Sequence, residues 1–489
     1  MVISWLYLLP FIGMINAMNK AWNKHLLTLF IIGIGFSACR PIIDSNNLPA
    51  IITVQSATSF PTSTPTHATL TPESEDLLLE KIPSGITLDF WHPWSGEMSN
   101  LIDVMVEEFN GSNEWGITVN PELHSDEIVL IDDFNRSIED EISPEIIAAP
   151  GFYLRSLEES GFMLQELEKF VESQQWGFPQ DETDTFLPVF WNADILAGKR
   201  IGMPAYQSGY FIFYNQTWAK ELGFSQEPKT PEDFGSLTCR AGEIYLQDNL
   251  LENNGTGGWV YSYNPVAFYS WLKSFRSETQ SKESIPGIFN GNENVESGIY
   301  LYDLFLDNCA WIGRQQQPYE YFSNRLAIAY NGKMEDILTQ ERVNELNESN
   351  DQWSVIPYPS KSGKPVLFAD GESYAITTDD EEHALAAWIF IRWMLRPENQ
   401  VKMVEESGTF PLSGKSVDLL NGYKNIHPAW AAALDYLPLI ENSPQDADWG
   451  LAKEILADIS WKLIQYTTRR EDIPVIFQDA QMLLSEIAN

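Results

Sequence analysis

Three cysteines set the first limits on the chemistry of this 489-residue chain. Cys39 follows an apolar run, Leu26 to Phe36, and the small pair Ser37-Ala38, with Lys20 and Lys24 upstream. That is the pattern of a lipobox: a peptidase needs the small side chains, and the cysteine thiol receives diacylglycerol. The apolar run is too short to span a bilayer comfortably. An uncleaved N-terminal anchor is the alternative, and both readings put everything after Cys39 outside the cytoplasm. Cys239 and Cys309 remain, one pair in an oxidising compartment, which predicts a structural disulfide. The six histidines (25, 67, 92, 124, 383, 427) are scattered and no C-x-x-C occurs, so neither a zinc nor a redox site is expected. The chain has no G-x-S-x-G elbow, H-E-x-x-H helix, phosphate-binding glycine loop or EF-hand spacing. A glycosidase needs two carboxyls flanking a bond, and 69 acidic residues make any such pair a cheap coincidence.

The acid content has a consequence of its own. Net charge is −39, and loss of a leader holding two lysines and no acid takes it to −41, 28 basic residues against 69 acidic. Such a field repels nucleic-acid phosphate and anionic headgroups, so no nucleic-acid partner is expected and membrane attachment must come from lipid. The acid reads most simply as solubility at a cell surface.

These residues need elements to position them. Residues 1–38 read as a lipoprotein signal peptide, and Met18 as the start gives basic region, apolar region and cysteine in order. If Met1 is used, the longer uncharged leader must still be processed or retained. Residues 39–80 read as the lipidated cysteine and a stalk: from Thr53 to Ser74, 14 of 22 residues are Ser, Thr or Pro, which cannot bury a core. As a flexible coil the stalk spans roughly 35 Å. Residues 81–489 form the body. Ile86 to Trp91 alternates as a strand does, and Leu101, Val104, Met105 and Phe109 repeat as a helix does. Glu145 to Ala149 and the helix starting at Tyr153 repeat the sequence strand, loop, helix. This alternation predicts an α/β body with a mostly parallel sheet. Thr378 to Arg396 reads as a core helix with a Thr378–Glu381 capping box, stopped by Pro397.

Five segments, in order, resemble the extracellular solute-binding proteins of ABC importers, in the family-1 group that includes maltose-binding protein. They are ITLDFWHPWSG (86–96), IGMPAYQSGYFIFYNQTWAKELGF with PKTPEDF (201–234), FSNRLAIAYNGKMEDI (322–337), WSVIPYPSKSGKPVLFADGESYAI (353–376), and AAWIFIRWMLRPENQ with ESGTFPLS (386–413). Asn324 and Ile328 stand where the third motif usually has Gly and Met. The resemblance implies a two-lobe, type II periplasmic-binding-protein-like fold with hinge strands and a ligand cleft. It places one lobe at about 85–203 and 331–370 and the other at about 204–330 and 371–489. Hinges are expected near Pro204 to Ser208, Tyr330, and Asp370 to Ser373.

The resemblance also implies the cleft: Trp91, His92 and Trp94 after the first strand, Tyr206, Ser208 and Tyr210 on the crossing segment, Tyr330 and Asn331 at another crossing, Gly371, Glu372 and Ser373 in the loop before Tyr374, and Phe410. Trp259 and Tyr261 are further stacking candidates. Aromatic faces stack on the C–H patches of sugars, and amides and carboxylates meet the hydroxyls. The implied function is capture of a carbohydrate and its delivery to the transmembrane subunits of an ABC permease, by a lipid-anchored monomer on the extracellular face, or in the periplasm where an outer membrane exists. No cofactor or metal is implied. The alternatives are a binding protein for a glycerophosphodiester or phosphosugar, which needs a cationic clamp these segments lack, a secreted glycoside hydrolase, and a surface adhesin using the same fold.

Overall fold

The computed structural model describes residues 83–487, apart from 141, 277–284 and 315–316. The leader, Cys39 and the Ser/Thr/Pro-rich segment lie outside the described residues.

Strand β1 (Thr87–His92) alternates, with Leu88, Phe90 and His92 turned inward. After it, helix α1 (Glu97–Ser112) buries Met98, Ile102, Met105, Val106 and Phe109. Its stripe is rotated from the expected one, leaving Val104 outside at 60% exposure. Strand β2 (Thr118–Leu123), helix α2 (Glu127–Glu139, capped by Asp126), strand β3 (Ile146–Pro150) and helix α3 (Gly151–Ser160) follow. β1 pairs in parallel with both β2 and β3, as alternating strands and helices require.

The 13-residue strand β4 (Met203–Asn215) then leaves this sheet for a second one. Asn215 caps the helix after it, and Thr230 caps α4 (Pro231–Gln247) with a reciprocal Asp233 box. The second sheet adds β5 (Gly257–Val260), β6 (Ala310–Trp311), β7 (Ala327–Lys333) and β8 (Trp353–Ile356). Helices α5 (Pro265–Ser274), α6 (Asn292–Leu306) and α7 (Asp336–Leu346) belong to the same half. Cys239 on α4 is bonded to Cys309 at the start of β6, with the Cα atoms 4.0 Å apart. Strand β9 (Leu367–Ile376) returns to the first sheet, followed by α8 (Glu381–Met394) and α9 (Pro397–Ser407). The short β10 (Ile440–Asn442) pairs with the start of β9, and α10 (Trp449–Leu463) and α11 (Ile473–Ile487) close the chain.

Strand order is β2-β1-β3-β9-β4 in one lobe and, sharing β4, β6-β5-β7-β4-β8 in the other. The pairings divide the chain differently from the expected lobes. Glu372–Ile376 pairs with β3, Phe390 on α8 packs on Phe90 and Phe109, and α9 packs on α1, so residues 371 to about 407 complete the first lobe. Pro428–Leu434 instead packs on β8, and His427 meets Glu341 of α7. β7, α7 and β8 pack with the second lobe's strands, and α10 and α11 share the second core with α5 and α6. Tyr330 therefore lies inside the second lobe, where β7 pairs on both sides, and is no hinge. The crossings are β4, β9 and the passage from β10 to α10.

α8 begins two residues later than its expected box. Asp380 is the cap, accepting from the His383 N–H, while Thr378 accepts from the Asp380 N–H. Pro397 occupies the first turn of α9, where a missing N–H costs nothing.

Candidate functional site

The crossing strands build the floor of the groove between the lobes. Alternation along β4 sends Ala205, Phe211 and Phe213 into one apolar core and turns Tyr206, Ser208 and Tyr210 to the other face. Across the ladder, Glu372 stands opposite Tyr206 and Asp370 opposite Ser208, so two carboxylates share that face. A register shift falls immediately after Glu372, a bulge that re-aims the next residues. Between the two carboxylates, Gly371 lets the strands meet: a Cβ there would lie 1.8 Å from the Tyr206 carbonyl oxygen.

Around this floor is a cavity of about 210 Å³. The first lobe supplies Glu127 at the start of α2 and Phe152 on α3; the second supplies Asn264 and Pro265 at the start of α5, with Trp449 and Lys453 on α10. Ser443 and Gln445 come from the third crossing. A larger cavity of about 600 Å³ shares Tyr210, Asn264, Pro265 and Lys333 with it and extends past Tyr261, Tyr263, Asn331 and Asp336. Lys453 spans the lobes, 3.0 Å from the Glu127 carboxylate and over the Phe152 ring at 4.4 Å.

Tyr206 and Ser208 both donate to the Glu335 carboxylate, and Tyr210 donates to Asp370 at 3.3 Å. The Trp94 indole donates to Glu372 at 2.9 Å, and its ring stacks on Tyr206 with centroids 6.0 Å apart. Asp336 accepts from the Lys333 N–H at 2.7 Å and from the Tyr319 hydroxyl at 2.5 Å. Burial raises the carboxyls of Glu335, Asp336 and Asp370, and pushes Glu372 up to about 7, with Glu127 and Asp370 adding to the rise. Lys333 is raised by the Tyr210 oxygen beside it and by Glu335, Asp370 and Glu372. The site can therefore accept many hydrogen bonds, stack flat apolar faces, and hold net negative charge.

Residues 104–433 match the family model described as bacterial extracellular solute-binding protein. The chain belongs to that family. This solute-binding protein is 20% identical over 357 residues to the sn-glycerol-3-phosphate-binding periplasmic protein UgpB of Escherichia coli K12, covering 68% of this chain and 76% of that one. In three dimensions it resembles the sugar-binding protein MalE of Xanthomonas citri (TM-score 0.66, 15% identity, 82% of this chain and 98% of that one). It also resembles UgpB of Mycobacterium tuberculosis in complex with glycerophosphocholine, with the same TM-score, identity and coverage. The cyclic alpha-maltosyl-1,6-maltose binding protein of Arthrobacter globiformis aligns with a TM-score of 0.64 at 16% identity, over 82% and 99% of the two chains. These neighbours share the two-lobe type II fold.

The cleft of this solute-binding protein collects some of the expected residues and not others. Tyr206, Ser208, Tyr210, Gly371 and Glu372 line the smaller cavity, and Asn331 and Tyr261 the larger. Trp94 stands behind the floor, 6% exposed, holding Glu372. Trp91 packs on His124 and Phe134 inside the first lobe, and His92 is buried, its imidazole lowered to about 4 by burial and then by His124. Trp259 is a core residue against Phe234 and Trp271, its indole donating to Asn331 at 3.2 Å. Tyr330 stacks on Phe213 and donates to Gln340 within the core. Ser373 is buried beside Asp194, and Phe410 packs on Phe190 and Phe211, filling the space Gly209 leaves open. The inward turn has one physical cause: covered strands and packed loops bury large rings more favourably than a wet groove does.

Sequence reasoning missed Glu127, Lys333, Glu335, Asp370, Gln445 and Lys453. Lys333 and Asp370 carried a signal, since each lies two residues along a strand from an expected residue, Asn331 or Glu372. Glu127 and Lys453 sit on helices among many similar charges, and no local pattern marks them.

Proposed function

We propose that this protein captures a carbohydrate between its two lobes and delivers it to the transmembrane subunits of an ABC importer, without chemistry on the ligand. One observation carries the reading: a cavity on the crossing strands takes its walls from both lobes and combines aromatic rings with carboxylates, hydroxyls and amides. A ligand there touches both halves only when they are closed, so binding favours the closed form. The sugar- and glycerophosphodiester-binding neighbours support a small polar ligand and do not choose between the two. The charge of the cleft does. Lys453 is committed to Glu127, and Lys333 lies among Glu335, Asp370 and Glu372, so a phosphate would meet more carboxylate than cation. The named ligand residues are Tyr206, Ser208, Tyr210, Asn331, Gly371 and Glu372, with Trp94 as support.

Titration calorimetry against mono- and oligosaccharides and against glycerophosphodiesters tests this, with chromatography of the mixture afterwards. We expect a sugar to bind with no product formed. Tighter binding of a phosphodiester overturns the carbohydrate assignment, and released product overturns the transport assignment in favour of a glycosidase. In the same proposal, Cys39 carries a diacylglyceryl group that anchors a monomer outside the cell, and Cys239–Cys309 is oxidised there. Mass spectrometry of the membrane fraction should find the modified cysteine as the N-terminus; a chain beginning at Met1 or Met18 refutes cleavage.

A further inference from the structure

The first lobe holds a further cavity, of about 280 Å³, that shares no residue with the two cavities of the cleft. Its walls come from the end of α1, the loop at 175–176 and the last turns of α8. Phe109, Trp115, Trp176, Ile389 and Trp393 make them apolar, and Trp115 meets Trp176 edge-on with centroids 5.9 Å apart. Two cations complete the lining, Arg392 in the last turn of α8 and Arg396 just past it. Among the described residues neither forms an ion pair, although the chain carries 69 acids against 30 bases. Glu182 is near enough to act on Arg392 without pairing with it and lies outside the lining, where Glu114 is the one acid among the described residues.

The described chain begins beside this cavity. The Gly85 N–H donates to the Trp115 carbonyl at 3.0 Å, so the backbone enters the body along one of the cavity's walls. Residues 73–82, outside the described residues, read ESEDLLLEKI: four acids, one lysine and three consecutive leucines. Leu79 is six residues before Gly85, and six residues reach at most about 22 Å. The segment therefore has leucines for an apolar hollow and carboxylates for two unpaired guanidinium groups, all within reach. An arginine fork suits a carboxylate, and a leucine gains by leaving water for a tryptophan wall. The Ser, Thr and Pro residues further upstream offer neither.

We propose that residues 73–82 dock in this cavity of their own chain, the leucines at 77–79 against the tryptophans and the flanking acids on Arg392 and Arg396. Docking there fixes the first lobe to the chain upstream of it, so the second lobe is the one that swings as the cleft opens and closes.

Hydrogen exchange read by mass spectrometry on the full chain in detergent tests this. We expect the amides of residues 74–82 to exchange at least about tenfold slower than an unstructured peptide of the same sequence. Arg392→Glu with Arg396→Glu should remove that protection. Adding Glu75→Arg, Asp76→Arg and Glu80→Arg to the pair should restore at least about threefold of it, since the charges again oppose. Leu77→Ser, Leu78→Ser and Leu79→Ser together should also remove it with both arginines in place. These three lie outside the described body, so they test the docking even where the arginine variant fails to fold. Exchange at the unstructured rate in the wild type overturns the proposal. So does protection that survives both sets of substitutions, because the arginines then serve only the helix end. Protection that falls on dilution overturns it in favour of a second copy of the chain.

Discussion

At the exit of β1, a strand paired on both sides, Trp91 is covered by Phe134 of α2, while His92 and Trp94 pack around Phe90, which α8 covers. Along β4, Tyr206, Ser208 and Tyr210 occupy a strand of the same kind, yet they face the groove. The two segments have similar composition and differ in what lies over them. β1 pairs with β2 and β3 in the middle of the first lobe, and Phe90 next to the exit is sealed by Tyr374 and Phe390. β4 passes between lobes, and where it crosses, a cavity of about 210 Å³ lies over one of its faces. Rings at a covered strand end become core. Polar residues at every second position of an otherwise apolar strand mark the face left open.

The comparison breaks most visibly at Gly371. No side chain fits beside the Tyr206 carbonyl, so Gly371→Ala must part the crossing strands. We expect a loss of about 4 kcal/mol or more in urea unfolding, in the range of substitutions that force backbone apart. Gly111→Ala at the end of α1 meets nothing within 4 Å and should change stability by less than about 1 kcal/mol. Equal midpoints for the two variants would mean that β4 and β9 are not packed as described.

The next contrast is between the two aromatic segments. Trp94 packs against Phe90, His92 and Tyr374. Trp94→Ala should therefore cost roughly 3 to 5 kcal/mol of stability, as large core truncations do. Tyr206→Phe removes one hydroxyl, the donor to Glu335, and should cost about 1 kcal/mol of stability while weakening ligand binding about tenfold. Should Trp94→Ala keep full stability and lose only affinity, the β1 exit would be cleft and not core.

A third contrast uses pH. Burial holds the Glu372 carboxyl near 7 in the folded chain against an ordinary 4.5. Between those values the folded state carries the extra proton, so this group's contribution to stability falls as pH rises from 4.5 to 7, by up to roughly 3 kcal/mol. His92 works in the opposite sense: its folded value of about 4 lies below the ordinary 6.5, so its contribution is lost as pH falls from 6.5 to 4. Glu372→Gln removes only the first effect. The variant should match the wild type near pH 4.5 and exceed it in stability at pH 8, both without ligand. A difference that stays constant with pH would place Glu372 in open solvent.

Much of the architecture could be read from residue patterns because it rests on local signals. Alternation marked β1, the repeated order of strand, loop and helix marked β3 and α3, and the family resemblance marked β4 and the helix entry at Pro231. Which lobe owns residues 331–370 or 371–407 is settled by pairing across more than 100 residues of chain, as Asn331 with Ile212 and Ser373 with Ala149, and no local pattern carries that information. The cleft divides in the same way. Tyr206, Ser208, Tyr210 and Glu372 were legible because the family resemblance places them on the crossing strands. Glu127 and Lys453 were not, because their relevance arises only when α2 and α10 meet.

That meeting supplies the smallest effect and the most direct probe of closure. Lys453 on the second lobe reaches Glu127 and Phe152 on the first, and nothing on either helix alone accounts for the contact. Both partners are partly exposed, at 19% and 33%, so the ion pair is worth about 1 kcal/mol at most. Whatever it contributes belongs to the closed arrangement, because parting the lobes breaks it. Lys453→Met keeps the apolar stem over Phe152 and deletes the charge. We expect about fivefold weaker ligand binding with nearly unchanged thermal stability, and an unliganded radius of gyration by small-angle scattering larger than that of the wild type. Added salt should weaken binding in the wild type and leave the variant less affected, since screening reaches a pair this exposed. An unchanged radius and unchanged affinity would remove the pair from the closing equilibrium and leave the hinge strands to set it alone.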